Sequence, residues 1–139
     1  MTCSLKNLFG VVPGAVYGWP KNILHFRGIE NSILDLAATV RPALSIVDAV
    51  IGMEGDGPIM GTAKSVGCLV IGKDPVAVDA TCARLIGLRP ERLSYLESAS
   101  AFLGNLAEER ITQRAEPLTR FATRFDILPS FRSLKRQTG

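Results

Sequence analysis

The stretch that decides the fold is residues 44–87, which read LSIVDAVIGMEGDGPIMGTAKSVGCLVIGKDPVAVDATCARLIG. Two short, apolar and β-branched runs at 44–51 and 66–71 predict buried strands. The Asp-Pro pair at 74–75 then predicts the start of a helix, with the aspartate as its cap, and Gly87 marks its end. Two strands followed by a helix indicate an α/β protein.

The flanking sequence adds elements of the same kind. Apolar residues at helical spacing predict a helix over residues 29–40, which Pro42 stops. A further helix is expected from Pro90 to about Leu103, and residues 108–114 read as a polar edge strand. We therefore expect a small mixed sheet with helices packed on it, as part of a larger α/β fold.

Composition and charge divide the chain in two. The 139 residues are 47% hydrophobic and 21% charged, which is the mix of a packed, soluble protein. Residues 1–115 hold eleven basic and eleven acidic side chains, so the net charge of +3 belongs to residues 116–139. We expect an α/β body over 1–115 and a basic, Phe-containing tail over 116–139. The tail could be a helix docked on the body or a segment for a partner or membrane surface, and nucleic acid is not expected as a partner.

The cysteines and the hydropathy bear on location. Cys3, Cys68 and Cys82 are odd in number and form no CxxC pair, so we expect reduced thiols rather than a disulfide scaffold or zinc cluster. No apolar run reaches the ~18 residues of a membrane span, so no transmembrane segment is expected. Together these features predict a cytoplasmic protein.

Two carboxylates occupy positions that should be apolar. Asp48 shares one face of the first strand with Leu44, Ile46 and Val50, because strand side chains alternate. Asp79 falls on the apolar side of the helix after Pro75. A buried carboxylate must be paired or hydrogen-bonded, so each could tie down a loop backbone or face a ligand at the base of a site.

More acids surround the glycine-rich loop at residues 52–61. As a phosphate cradle this loop is a weak match, because its glycines are spaced unlike the dinucleotide fingerprint. In open α/β sheets ligands bind at the carboxyl ends of strands, where Glu54 and Asp56 follow one strand and Lys73 and Asp74 follow the other. A divalent cation held by oxygen ligands is possible there. The metal ligands predicted are Asp48, Glu54 and Asp56, with Asp74 and Asp79 as further carboxylates.

The remaining candidates are a histidine and several cations. His25 and Asp79 are the predicted catalytic residues, each able to move a proton. The residues predicted to bind an anionic or other small-molecule ligand are Lys6, Asn7, Lys21, Asp48, Lys73 and Asp74. A structural histidine and solvated lysines remain the alternative.

Four motifs carry a resemblance to a known family. They are SLKNLFG at 4–10, YGWPKN at 17–22 with His25, the segment 46–58 that begins IVD, and DPVAVDA at 74–80. In this order they resemble the bacterial and archaeal family described as domain of unknown function 362. The resemblance runs from about Ser4 to Arg114, and family members are usually longer. It implies that this chain corresponds to the C-terminal half of such a domain.

The resemblance leaves the activity open, since no reaction is established for the family as a whole. Many members are described as iron–sulfur proteins with a CxxCxxCxxxC run, which this sequence lacks, so no cluster is expected here. One hypothesis is a ligand-binding domain that forms half of an enzyme site for a metal or an anionic metabolite. The other is a non-catalytic module that docks through its tail to a redox or membrane-associated partner. A homodimer could supply the missing walls of a site.

Overall fold

A computed structural model describes residues 1–17 and 22–136 of the chain. Its helices are α1 (Gly14–Tyr17), α2 (Asn22–Phe26), α3 (Ile29–Val40), α4 (Pro75–Leu85) and α5 (Ser94–Ser100), and its strands are β1 (Ser45–Glu54) and β2 (Thr62–Gly72). Short 3-10 turns cover Lys6–Val11, Pro90–Arg92, Glu108–Arg110, Leu118–Arg120 and Pro129–Leu134. The predicted α/β class is therefore confirmed.

The two strongest helix predictions are confirmed. Helix α3 spans Ile29–Val40 and ends where Arg41 turns left-handed, just before Pro42. Helix α4 begins after Asp74, whose side chain accepts hydrogen bonds from the backbone N–H groups of Val76 and Ala77. Both helices lie where sequence periodicity and end signals agree.

Two other elements differ from their predictions. The helix expected from Pro90 divides into a 3-10 turn and the seven-residue α5. The edge strand expected over 108–114 is absent, and Glu108–Arg110 forms a 3-10 turn instead. Buried Arg84 on α4 pairs with Glu108 at 3.5 Å and donates to the Leu106 carbonyl at 2.8 Å. These contacts hold the chain against α4 rather than beside a strand.

The strands form an antiparallel hairpin in which Ser45 lies opposite Gly72 and Glu54 lies opposite Thr62. The register shifts between Ala49 and Ile51, which is the signature of a β-bulge. Alternation gives the hairpin two faces. The inner face, turned to α4 and the tail, carries Val47, Ala49, Gly52, Glu54, Lys64, Val66, Cys68, Val70 and Gly72. The outer face carries Ile46, Asp48, Ile51, Met53, Leu69 and Ile71.

The expectation of buried strands is wrong for the outer face. Ile46 is 64% exposed and Ile71, its cross-strand neighbour, is 59% exposed. Leu44 and Val50, which were expected to turn the same face inward, are also exposed. Asp48 is therefore an exposed side chain and not a buried acid. The reason is that the described helices cover only the other face of the hairpin.

The hydrophobic core lies among the helices and not within the sheet. Leu5 and Leu8 of the N-terminal segment, Ile33 of α3, Val76 of α4 and Leu96 of α5 belong to one buried cluster. Helix α5 packs against both α3 and α4, and Val78 and Ala80 of α4 are also buried. The core therefore fixes α4 and, through it, the end of β2 that leads into it.

The tail lies against the body as extended chain with two 3-10 turns, not as a helix. The N–H of Thr123 donates to the Leu85 carbonyl at 2.8 Å, and that of Phe125 donates to Ile86 at 3.0 Å. Further along, the N–H of Arg136 donates to Gly87 at 3.0 Å. Phe125 itself is 7% exposed. In the part of the tail that the structure describes, backbone hydrogen bonds and one aromatic ring hold it to the end of α4.

Candidate ligand-binding site

The antiparallel register separates the groups that were expected to meet at one sheet edge. At one end of the hairpin Glu54 pairs with Thr62 and Asp56 follows, whereas Lys73 and Asp74 follow the Ser45–Gly72 pair at the other end. The predicted edge with both strand ends together is therefore wrong, because it assumed parallel neighbours.

The three predicted metal ligands also lie apart. Asp48 projects from the outer face, and its Oδ1 accepts the N–H of Val50 at 2.9 Å. Glu54 lies on the inner face and Asp56 in the exposed turn. Among residues 1–17 and 22–136, no group of three or more His, Cys, Asp or Glu side chains is arranged to hold a metal ion.

Glu54 is instead part of the contact between the hairpin and the tail. Its Oε2 lies 2.8 Å from Nζ of Lys64 and accepts the N–H of Asp126 at 2.9 Å. The hydrogen bond from Lys64 is the main reason that the pKa of Glu54 is lowered, and the Asp126 amide adds to it. Both partners favour the charged carboxylate.

Asp79 is the fully buried acid, and it fixes the N-terminal segment. Its Oδ1 accepts the N–H of Ser4 at 2.6 Å and its Oδ2 accepts that of Leu5 at 3.2 Å. Burial raises the pKa of Asp79, and the two amides oppose that rise. Backbone donors thus occupy both oxygens. Of the two interpretations left open by the sequence, this geometry matches the one in which Asp79 ties down a loop backbone.

Tyr95 of α5 lies beside Asp79 in this buried region. Burial and the nearby Asp79 carboxyl raise the pKa of the Tyr95 phenol. The hydroxyl is buried, and no hydrogen-bond partner for it is found in the described part of the chain. Tyr95 therefore gives Asp79 a polar neighbour that the sequence did not indicate.

Asp74 also has a structural task. Besides capping α4, it accepts hydrogen bonds at Oδ2 from the backbone and side-chain nitrogens of Asn105, at 2.7 and 3.0 Å. A side chain at Gly104 would collide with the Asp74 carboxylate, so the glycine is what lets this loop approach. Asp74 thus joins the N-terminus of α4 to the chain after α5.

Beside this junction lies a groove of about 660 Å³. Its walls are residues 67–74 of β2 and the turn after it, one side of α4, and residues 110–116, with Asn105, Leu118 and Phe121 at the ends. Strand β2 borders the groove with the edge that β1 does not pair. Unpaired backbone N–H and C=O groups on such an edge are available to a ligand.

Three cations line the groove, namely Lys73, Arg110 and Arg114. The ion pairs found within residues 1–17 and 22–136 include none of the three. The two acids of the lining are already engaged, since Asp74 binds Asn105 and Glu116 pairs with Arg120 at 2.8 Å. The groove is therefore locally basic.

The other predicted ligand-binding and catalytic residues that the structure describes are not part of the groove lining. Lys6 is bonded through Nζ to the Thr2 hydroxyl at 3.1 Å, and Asn7 is exposed. Lys21 and the side chain of His25 are outside the described residues. Of the predicted ligand-binding set, the groove lining includes Lys73 and Asp74. Arg110 and Arg114 were missed, because the segment that carries them was interpreted as an edge strand.

The chain is similar to known proteins over part of its length. No described helix is long and apolar enough to cross a membrane. The chain is 34% identical over 96 residues to a thylakoid-associated protein of Synechocystis sp., a match that covers 65% of this chain and 29% of that protein. The chain thus spans less than a third of that relative. No solved structure matches.

A family profile matches the chain as well. The profile of the family matches residues 1–84, the N-terminal part of this chain, and so ends well before Arg114, where the resemblance was expected to stop. The match includes the hairpin and most of α4. The chain belongs to the family described as domain of unknown function, DUF362.

Proposed function

We propose that this chain is a ligand-binding α/β module whose ligand is a small anion held in the groove beside β2. The observation that carries the proposal is the set of three groove cations that have no acidic partner in the described ion pairs. A phosphate or carboxylate ligand would satisfy them with charge-assisted hydrogen bonds. We further propose a reducing, cytoplasmic setting for the module, since its three cysteines are free thiols.

The architecture of the groove supports an anion over a neutral ligand. Arginine donates in a planar fork that suits a carboxylate or phosphate, and Lys73 adds a point charge. The unpaired edge of β2 offers backbone N–H donors between these side chains. The contacts of buried Arg84 with Leu106 and Glu108 hold the chain that leads into residues 110–116. Donors on both walls are thus connected to helix α4.

Calorimetric titration with inorganic pyrophosphate tests the proposal. Replacing Lys73 and Arg114 together with Gln should weaken binding by about tenfold or more, because two charge-assisted contacts are lost. The matched control is Lys6→Gln, which removes a half-buried cation outside the groove and should leave binding unchanged. Equal binding by all three proteins, or no binding by any of them, would contradict the proposal.

A second candidate function is the non-catalytic interaction module, and the outer face of the hairpin favours it. Monomeric proteins seldom expose a contiguous apolar patch of this kind without a partner. The tail is less suited to docking, since its backbone is engaged with α4. The occupant we propose is further polypeptide, of the kind that lies outside the matched 29% of the Synechocystis relative.

Co-expression with that remaining part of the relative tests the second candidate. We expect the two polypeptides to purify together, and Ile71→Lys to separate them, because it places a charge in the apolar contact. Ile59→Lys, in the exposed turn between the strands, is the matched control. If both lysine variants behave alike, the outer face is not the contact.

A further inference from the structure

Three cysteines that are far apart in the sequence come together in the fold. Cys3 is on the N-terminal segment, Cys68 is on the inner face of β2, and Cys82 is on α4. Cys3 and Cys68 are half-buried, and Cys82 is 3% exposed. Cys68 also lines the groove, whereas Cys3 and Cys82 belong to neither the groove lining nor the outer face.

The bonds to Asp79 explain why Cys3 and Cys82 are neighbours. The amides of Ser4 and Leu5 hold the N-terminal segment on α4 at Asp79, and Cys3 directly precedes that contact. Cys82 follows Asp79 by three residues, so it lies about one turn further along the same side of the helix. Its side chain leans back toward the helix N-terminus, and therefore toward Cys3.

The acidities of the thiols agree with this placement. The pKa of Cys82 is raised, first by its contact with the Cys3 thiol and then by burial. The charges of Asp79 and Cys68 contribute less. Burial raises the pKa of Cys68 as well. Of the two other thiols, Cys3 thus influences Cys82 more strongly than Cys68 does, as its position beside the Asp79 contact leads one to expect.

We propose that Cys3 and Cys82 are a dithiol pair that closes to an intramolecular disulfide when the protein meets a small-molecule disulfide such as oxidised glutathione. The Cys3 thiolate attacks one sulfur of the reagent and releases one equivalent of thiol. Cys82 then loses its proton, attacks the Cys3 sulfur and releases the second equivalent. Two cysteines are oxidised, the reagent is reduced to two thiols, and both cysteine protons end on the released thiols or solvent.

The closed bond would link the N-terminal segment to α4 at the place where Asp79 already holds it. Such a link reduces the freedom of the unfolded chain by closing a long loop, and so it should raise the melting temperature. Burial still disfavours the Cys82 thiolate after Cys3 has reacted, so the second step should accelerate with pH.

Peptide mapping of the full chain after treatment with oxidised glutathione is the test. We expect a Cys3–Cys82 linked peptide, a fall from three free thiols to one, and a melting temperature higher by several degrees. Cys68→Ala is the matched control and should still form the bond. Cys82→Ala should instead retain one glutathione on Cys3.

A second arm separates the folded arrangement from chance pairing. In urea, the unfolded chain should favour the short loop between Cys68 and Cys82, because closing a short loop costs less entropy. The same Cys68–Cys82 product from the folded protein would overturn the proposal. So would a stable glutathione adduct on Cys3 with Cys82 left as a free thiol.

Discussion

In the β1–β2 hairpin, the large aliphatic residues are on the exposed face and not on the covered one. The outer face holds the largest aliphatic side chains and is exposed, as Ile46 and Ile71 show. The covered inner face has valine as its largest aliphatic side chain, beside small and polar residues that include Gly52 and Gly72. The difference teaches that burial here depends on how closely a covering segment can approach, and not on hydrophobicity alone.

Glycine makes that close approach possible at both ends of the inner face. A Cβ on Gly52 would lie 2.6 Å from the Phe125 ring, and a Cβ on Gly72 would lie 2.7 Å from a methyl group of Val78. Both distances are far below a normal contact, so only glycine admits these neighbours. The tail covers one end of the inner face and α4 covers the other.

Truncating the ring that covers Gly52 should have the largest effect. We expect Phe125→Ala to lower the free energy of unfolding by about 3 kcal/mol, because it removes a buried aromatic ring and leaves a cavity. The matched change on the outer face, Ile71→Ala, should cost less than about 1 kcal/mol, since that side chain is mostly exposed. Urea unfolding of both variants measures the difference, and equal losses would show that the two faces are equally covered.

The N-terminal segment is the third element that covers the inner face, because the Ser4 and Ser45 hydroxyls form a hydrogen bond of 2.6 Å. Asp79 holds this segment in place through the amides of Ser4 and Leu5. Asp79→Ala should lower the free energy of unfolding by roughly 2 kcal/mol, because two buried amides lose their acceptor. Asp48→Ala, which removes an exposed acid from the outer face, should change it by less than about 0.5 kcal/mol. Similar values for the two variants would mean that Asp79 does not anchor the segment.

The contribution of Asp79 to the free energy of unfolding should fall as the pH rises. Its pKa is raised in the folded state, so the folded protein binds this proton more readily than the unfolded chain does. The resulting contribution is fully present below the unfolded pKa, which is about 3.9, and is lost as pH rises through the folded pKa. Asp79→Asn should remove this decline from the profile of unfolding free energy against pH, and an unchanged profile would contradict it.

Glu54 should show the opposite sign and a smaller effect. Its pKa is lowered from the usual 4.5, mainly by Lys64, so the stability it contributes is present above that value and is lost as pH falls through the folded pKa. Glu54→Gln should therefore reduce the melting temperature slightly at pH 7 and hardly at all under strongly acidic conditions. Thermal melts at both pH values, with exposed Glu97→Gln as the control, measure this.

Local signals in the sequence were enough to predict α3 and α4. Helix α4 has an aspartate cap, a proline in its first turn and Gly87 at a φ of +83° after its end, all within a few residues. The buried position of Asp79 followed from the same helical period. These features depend on neighbours along the chain, which a single sequence displays.

The orientation of the hairpin and the site beside it could not be predicted in the same way. Ile46, Asp48 and Leu69 obey the alternation of a half-buried strand, but alternation does not say which face a helix covers. The sequence alone was also compatible with parallel strands, which would have placed Glu54 and Lys73 at the same edge of the sheet. Arg110 joins the groove through long-range contacts of Arg84, and no local pattern encodes these.

The smallest expected change in stability is the one that tests the outer face most directly. Ile46→Lys should alter the free energy of unfolding by less than about 0.5 kcal/mol, because a side chain that is 64% exposed in the free chain can be replaced by a charged one at little cost. The same change should reduce self-association at high concentration, as measured by sedimentation velocity, since it divides the apolar patch with a charge. Val47→Lys, its inner-face neighbour, should instead destabilise the fold, because that half-buried position faces α4 and the tail. If Ile46→Lys unfolds the protein as readily as Val47→Lys, the outer face is covered in the free chain, and the contrast between the two faces does not hold.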